Sequence, residues 1–294
     1  MSAPTRIFDR TRLASHRRRS ASLFDRYDFL FRETASRLQD RLRDVDRDFH
    51  AALDLGARCS VLGGKALVTA DLDPALRGNA DRFVTLDEEF LPIRPGTLDL
   101  VVSNLCLHWT NDLPGALLQI RQALKLDGLF LAAMLGGETL KELRAALTEA
   151  ELELTGGAAP RIAPFADIRD AGALLQRAGF ALPVTDLDTL TVTYDNAFAL
   201  MAELRGMGET NTLAETPAGV PMRELFPRAA AIYQDRFSDA EGRIPATFQI
   251  IYLHGWAPDS SQQQPLKPGS AENRLSDALN SLEISAGEEA KPDK

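Results

Sequence analysis

Three short apolar runs, each closing on or next to an aspartate, constrain this chain more than any other feature. Ala51–Leu55 carries Asp54, Ala66–Ala70 stops at Asp71, and Arg82–Leu86 stops at Asp87. Two further runs follow, Leu98–Ser103 and Leu129–Met134, with Leu113, Leu117, Ile120 and Leu124 at helical spacing between them. Short buried strands alternating with helices predict a parallel α/β sheet. Ligands of such sheets bind outside the carboxyl ends of the strands. An acid ending the second strand suits a ribose diol, since a carboxylate accepts from both hydroxyls. An acid ending the third suits an adenine amino group. A single acid at a strand end is explained as well by capping the next helix; three in succession point to a site for an adenosine-containing ligand.

The remaining pattern extends the alternation. Residues 1–19 read as an extended or partly disordered lead, and apolar spacing over Ser20–Arg43 predicts one long or two short amphipathic helices. Helices are expected over Leu140–Leu154, Asp167–Ala178, Asn196–Arg205 and Met222–Phe237. Strands are expected over Thr189–Tyr194 and Ala246–Leu253. From Pro258 the chain is rich in Ser, Gln, Pro and Glu and reads as loose, with a short helix at Asn273–Leu282. This organises the chain as a basic helical arm over 1–45, an α/β domain over 46–257 and a tail over 258–294.

Composition closes off several classes. No run approaches the ~18 apolar residues of a membrane helix, and the polar, Arg-rich first 20 residues do not read as a signal peptide. Two cysteines, Cys59 and Cys106, fit a reducing compartment, so the expected location is cytoplasmic. Net charge is −9, which disfavours wrapping nucleic acid. The charge is uneven, however: residues 1–50 carry 12 arginines against 8 acids. The run His16, Arg17, Arg18, Arg19 is either a solvated helix approach or a contact for an acidic partner. The four histidines, His16, His50, His108 and His254, lie far apart in sequence, and no metal-ligand spacing is present.

Asp54-Leu55-Gly56, Thr69-Ala70-Asp71 and Leu86-Asp87-Glu88-Glu89-Phe90-Leu91-Pro92 together resemble a class I S-adenosylmethionine-dependent methyltransferase. Thr97-Leu98-Asp99-Leu100-Val101-Val102-Ser103-Asn104-Leu105-Cys106-Leu107-His108-Trp109 is similar to the fourth-strand motif of those enzymes. Within them the chain resembles the respiratory complex I assembly factor 5 family. The residues that carry this are Gly136-Gly137-Glu138-Thr139-Leu140, Pro164-Phe165, Arg177-Ala178-Gly179-Phe180, Gly206-Met207-Gly208-Glu209-Thr210-Asn211 and Pro245-Ala246-Thr247-Phe248-Gln249-Ile250. The run Ser261–Ser270 is similar to that of bacterial relatives. The resemblance implies a doubly wound, mostly parallel seven-stranded sheet of order 3-2-1-4-5-7-6, with inserted helices. It implies S-adenosylmethionine as cofactor, held by Asp54, Gly56, Asp71, Asp87, Glu88 and Asn104. It also implies a protein partner among complex I subunits, modified at an arginine by hydroxylation or methylation. A non-catalytic assembly role and carboxyl O-methylation of a small molecule or carrier protein stay open beside it.

The first-strand loop departs from the family pattern. Arg58 and Ser60 stand where the second and third glycines of acid-x-Gly-x-Gly-x-Gly belong. Those glycines let the backbone approach a ligand. Arg58 is expected either to fill the methionine pocket or to point to solvent. Only ten residues, Gly56 to Lys65, separate the first two runs, too few for an ordinary crossover helix. His108 is the candidate general base near the reacting group, with packing as the alternative. Cys59 has no credible base beside it, and Cys106 reads as buried filler.

Overall fold

In the computed structural model the described residues are 6–56, 58–62, 68–77, 80–215, 222–263 and 275–282. Seven strands form one sheet in the order β3-β2-β1-β4-β5-β7-β6. They are β1 Ala52–Leu55, β2 Val68–Asp71, β3 Phe83–Thr85, β4 Leu98–Asn104, β5 Leu124–Leu135, β6 Ala181–Tyr194 and β7 Ile244–Trp256. β1 to β5 pair in parallel, and β7 runs antiparallel to both β5 and β6. This is the predicted sheet and order.

Alternation along the central strands makes two cores. Leu129, Leu131, Ala133 and Leu135 of β5 face one cluster with Leu100 and Val102 of β4. Helices α2 Phe29–Arg43, α4 Lys141–Thr155, α6 Ala197–Met207 and α7 Met222–Phe237 cover that face. Phe130, Ala132 and Met134 face the other way, onto Leu117 and Ile120 of α3 Leu113–Ala123 and Leu175 of α5 Ile168–Arg177. The helix starts obey capping chemistry: Asp112, Asp167 and Asn196 each accept a backbone N–H of the following turn.

The structure departs from the sequence reading in the N-terminal lead and at the starts of β5 and β6, and agrees with it in the short β1–β2 connection. The lead is not extended throughout, since Arg10–Ser20 forms helix α1. β5 starts at Leu124, directly after α3, and β6 starts at Ala181. No helix is present between β1 and β2 among the described residues, where Arg58–Leu62 form turns. Gly63, Gly64, Ala66 and most of the Ser261–Ser270 run lie outside the described residues, as does the start of the expected tail helix, of which α8 Leu275–Ala278 is described. Residues 1–259 make one unit and 260–294 a second. Among the described residues no helix is long and apolar enough to cross a membrane.

The Gly206–Asn211 block has a structural use at nearly every position. A Cβ on Gly206 would sit 2.2 Å from the Tyr27 ring, so only glycine lets α6 meet that turn. Gly208, at φ 77°, ends α6 in the left-handed region and passes Ser20 of α1. Thr210 bonds His16 Nδ1 at 2.8 Å, and Asn211 accepts from Leu213 N. Gly206→Ala is expected to lower the free energy of unfolding by about 1–3 kcal/mol through overpacking. Urea denaturation with an unchanged m-value would register this as a lower midpoint.

Candidate functional site

The carboxyl ends of β1 to β4 gather the predicted residues, and the N-terminal segment covers them. Ile7–Asp9 lie along residues 212–214, with Asp9 N–H donating to Thr212 O at 2.7 Å and Ala214 N–H to Ile7 O at 2.8 Å. Asn111 fixes the same segment by accepting from Phe8 N–H at 2.7 Å. α1 then crosses the strand ends with Arg10, Leu13, Arg17 and Ser20 inward.

Arg17 is fully buried. Its Nη1 donates to Asp71 Oδ1 at 2.8 Å and to Glu88 Oε1 at 2.7 Å, and both acids are fully buried too. Arg10 grips Asp87 with two nitrogens, bonds Glu88 Oε2 and donates to Trp109 O at 3.0 Å. Three acids at the strand ends thus face two guanidinium groups. Burial pushes Asp71 up, and the Arg17 charge only partly offsets it. For Glu88, Arg17 and Arg10 outweigh burial and hold the carboxyl below its ordinary range. Asp87 is the one acid of the three that reaches solvent, with its side chain 31% exposed.

A second network lies beneath. The Arg58 side chain is fully buried and points inward, over the Phe31 ring at 4.3 Å. It donates to Met207 O at 2.7 Å, Leu105 O at 3.1 Å and Glu209 Oε1 at 2.6 Å. Glu209 Oε2 accepts from Trp109 Nε1 at 2.7 Å and lies 3.0 Å from His108 Nε2. His108 Nδ1 faces Leu135 N–H at 3.5 Å, and the ring packs edge-on against Phe165. Burial lowers the His108 pKa, so the imidazole is neutral. Both of its nitrogens face protein groups, and its side chain has no solvent contact.

The remaining candidates turn inward. Asp54 Oδ2 accepts from Ser60 Oγ at 2.6 Å and from the backbone of Val61 and Leu62, which ties down the shortened loop. Burial pushes its pKa up to about 6. Asn104 bonds Thr34 Oγ1, Phe31 O and Cys59 O. Gly56 has φ 73°, and a Cβ there would lie 2.4 Å from Cys106. Burial raises the Cys59 thiol to about 11, so it holds its proton at neutral pH. Among the described residues no group of three His, Cys, Asp or Glu is placed to hold a metal ion.

These residues do not fit S-adenosylmethionine as they are arranged. Asp71, expected to hold a ribose, is closed off with Arg17; Arg58, standing where the family has glycine, is buried against Glu209; and Gly56 abuts Cys106. Two surface grooves lie elsewhere, one along α4 with Lys141, Arg144 and Arg236, the other beside Arg121 and Leu126. Sequence reasoning missed Arg10, Arg17 and Glu209 as site residues. The basic run near position 17 and the 206–211 block were the available signals.

Comparisons with known proteins agree with this architecture. Residues 54–132 match the family described as "Methyltransferase domain". The "Arginine-hydroxylase NDUFAF5, mitochondrial" of Danio rerio is 42% identical over 92% of this chain and 89% of its own length. The "Malonyl-[acyl-carrier protein] O-methyltransferase" of Laribacter hongkongensis is 33% identical over 89% of this chain and 94% of its own. The crystal structure of the YcgJ protein of Bacillus subtilis superposes with a TM-score of 0.51 at 16% identity, covering 76% of this chain and 98% of that one, and so shares the fold.

Proposed function

The chain belongs to the family of the arginine hydroxylase NDUFAF5, built on the class I methyltransferase fold, and from that premise we propose that it acts on an arginine side chain of a protein partner, a subunit of respiratory complex I, during assembly. The observation that carries this reading is the level and span of the similarity, 42% identity against 33% for the O-methyltransferase. The similarity to NDUFAF5 extends over 92% of the chain, well beyond the methyltransferase module at 54–132. The added length includes the 206–211 block, whose Glu209 pairs with the buried Arg58. A site whose three acids engage two guanidinium groups also has the right chemistry for an arginine. The reading places the protein in the cytoplasm, which its two free cysteines suit.

S-adenosylmethionine has no part in this reading while α1 is docked. That closure is the observation favouring the second reading, a non-catalytic assembly factor that holds the partner without changing it. Carboxyl O-methylation, the activity named for the more distant relative, would need the methyl donor and is the least supported.

Mass spectrometry of complex I subunits from cells with and without the gene tests both readings. An arginine that gains one oxygen only when the protein is present is the expected result. Unmodified subunits together with failed assembly would establish the non-catalytic role. Unmodified subunits and normal assembly would overturn the proposal.

A further inference from the structure

We infer that Asp71 and Glu88 form a guanidinium-binding site, filled from within the chain by Arg17 of α1 and taken by an arginine side chain of a partner protein when α1 lifts. The partner's identity rests on the function proposed above; the site itself rests on four observations.

The first is how α1 is attached. Its four buried positions, Arg10, Leu13, Arg17 and Ser20, include a single apolar side chain. α2 instead buries Leu30, Phe31, Ala35 and Leu38. An isolated helix of 11 residues is marginal in water, so α1 owes its place largely to ion pairs, which another cation of the same shape can replace.

The second is that the internal pairing is incomplete. Arg17 Nε and Nη2 and Asp71 Oδ2 are all buried without a hydrogen-bond partner. Arg17 reaches both acids through Nη1 alone. A guanidinium pairs best with a carboxylate through two parallel bonds. An arginine not held by the α1 backbone can use its second edge nitrogen on the free Asp71 oxygen. Buried polar atoms left unpaired are costly, so the cost is relieved by exchange.

The third is charge. With Arg17 withdrawn, two buried carboxylates face each other with Asp87 nearby, Arg10 stays bonded to Glu88 and Asp87, and Asp71 keeps no bonded cation. Such a site demands a cation. The fourth is that the neighbouring cation Arg58 directs its hydrogen bonds to Glu209 and two backbone carbonyls, so it acts on Asp71 through its charge alone and leaves the free Asp71 oxygen to an incoming guanidinium.

The probe is N-acetylarginine amide, with N-acetyllysine amide as control, titrated by calorimetry into the full-length protein and its Arg17→Met and Arg17→Ala variants. The expected result is at least a tenfold gain in arginine-probe affinity in the variants, no matching gain for the lysine probe, and loss of the gain on adding Glu88→Gln. Should the variants not fold, hydrogen exchange on the wild type serves instead: the arginine probe, and not the lysine probe, should speed exchange of the amides of residues 10–20. Equal affinities in wild type and variants, a lysine probe that gains as much, or unchanged exchange would overturn the inference. A positive probe result with an unmodified partner arginine would sink the proposed function and leave the site standing. The reverse outcome would sink the site alone.

Discussion

Glu209→Gln is expected to unfold with a deficit of about 3–5 kcal/mol, the cost of breaking a buried ion pair by removing one member. Every group around this carboxylate is a donor: Arg58 Nη2, Trp109 Nε1 and, with Nδ1 facing Leu135 N–H, His108 Nε2. An amide in its place must turn its NH2 group toward one of them, so the isosteric change cannot be absorbed by rotation. Arg58 would keep its two carbonyls and the Phe31 ring but lose the carboxylate it is bonded to. The double variant Arg58→Met, Glu209→Gln should recover a large part of the loss, because the uncompensated buried charge is gone. Urea unfolding of the four proteins in one buffer closes the cycle. A double variant no better than the sum of the singles would mean that Arg58 and Glu209 do not act as a pair.

Glu88→Gln should weaken the fold by a similar amount, about 3–5 kcal/mol at neutral pH, and flatten its response to acid. Arg17 and Arg10 hold this buried carboxyl below its ordinary range despite burial. An unfolded glutamate titrates near ~4.3. The unfolded chain therefore takes the proton first, and the stabilisation is complete above that pH and drains away below it. Asp71 works in the opposite sense, since burial raises it and its charged form weighs against the fold at neutral pH. Wild type and variant should therefore converge as pH falls from 5 toward ~3. The variant's slope stays above zero because Glu209 is depressed in the same way, by Arg58 and then His108 against burial. Midpoints that fall in parallel for the two proteins would remove Glu88 from the acid response.

The sheet was legible because apolar runs ending in acids are a strand signal that burial enforces. The runs locate β1 to β5, whereas the strand order is what the family resemblance implies. The first half of β6 was not legible. It is an edge strand, and its acids pair with Arg37 and Arg41 of α2, so Asp186 and Asp188 read as loop. α1 was hidden for a different reason. Its inward face is arginine, and periodicity analysis finds helices by apolar stripes. The acids at positions 71, 87 and 88 come together at the strand ends, but what they bond was not legible, because Arg10 and Arg17 lie 54 to 78 residues away along the chain; Asp54 instead bonds its own loop at Ser60. Arg58 was read as either entering the pocket or leaving it. Its inward course depends on Glu209, 151 residues distant. No local pattern carries that pairing.

The covalent connection of Arg17 to its own acids sets a threshold on anything that would replace it. A tethered group acts as if dissolved at a millimolar or higher effective concentration. Dispersed arginine competes poorly against that, whereas a protein already seated on the surface presents its arginine on the same intramolecular terms. The helix would thereby act as a filter on how an arginine arrives: one delivered by a docked partner displaces it readily, whereas the same side chain free in solution does so only at concentrations above that of the tethered group.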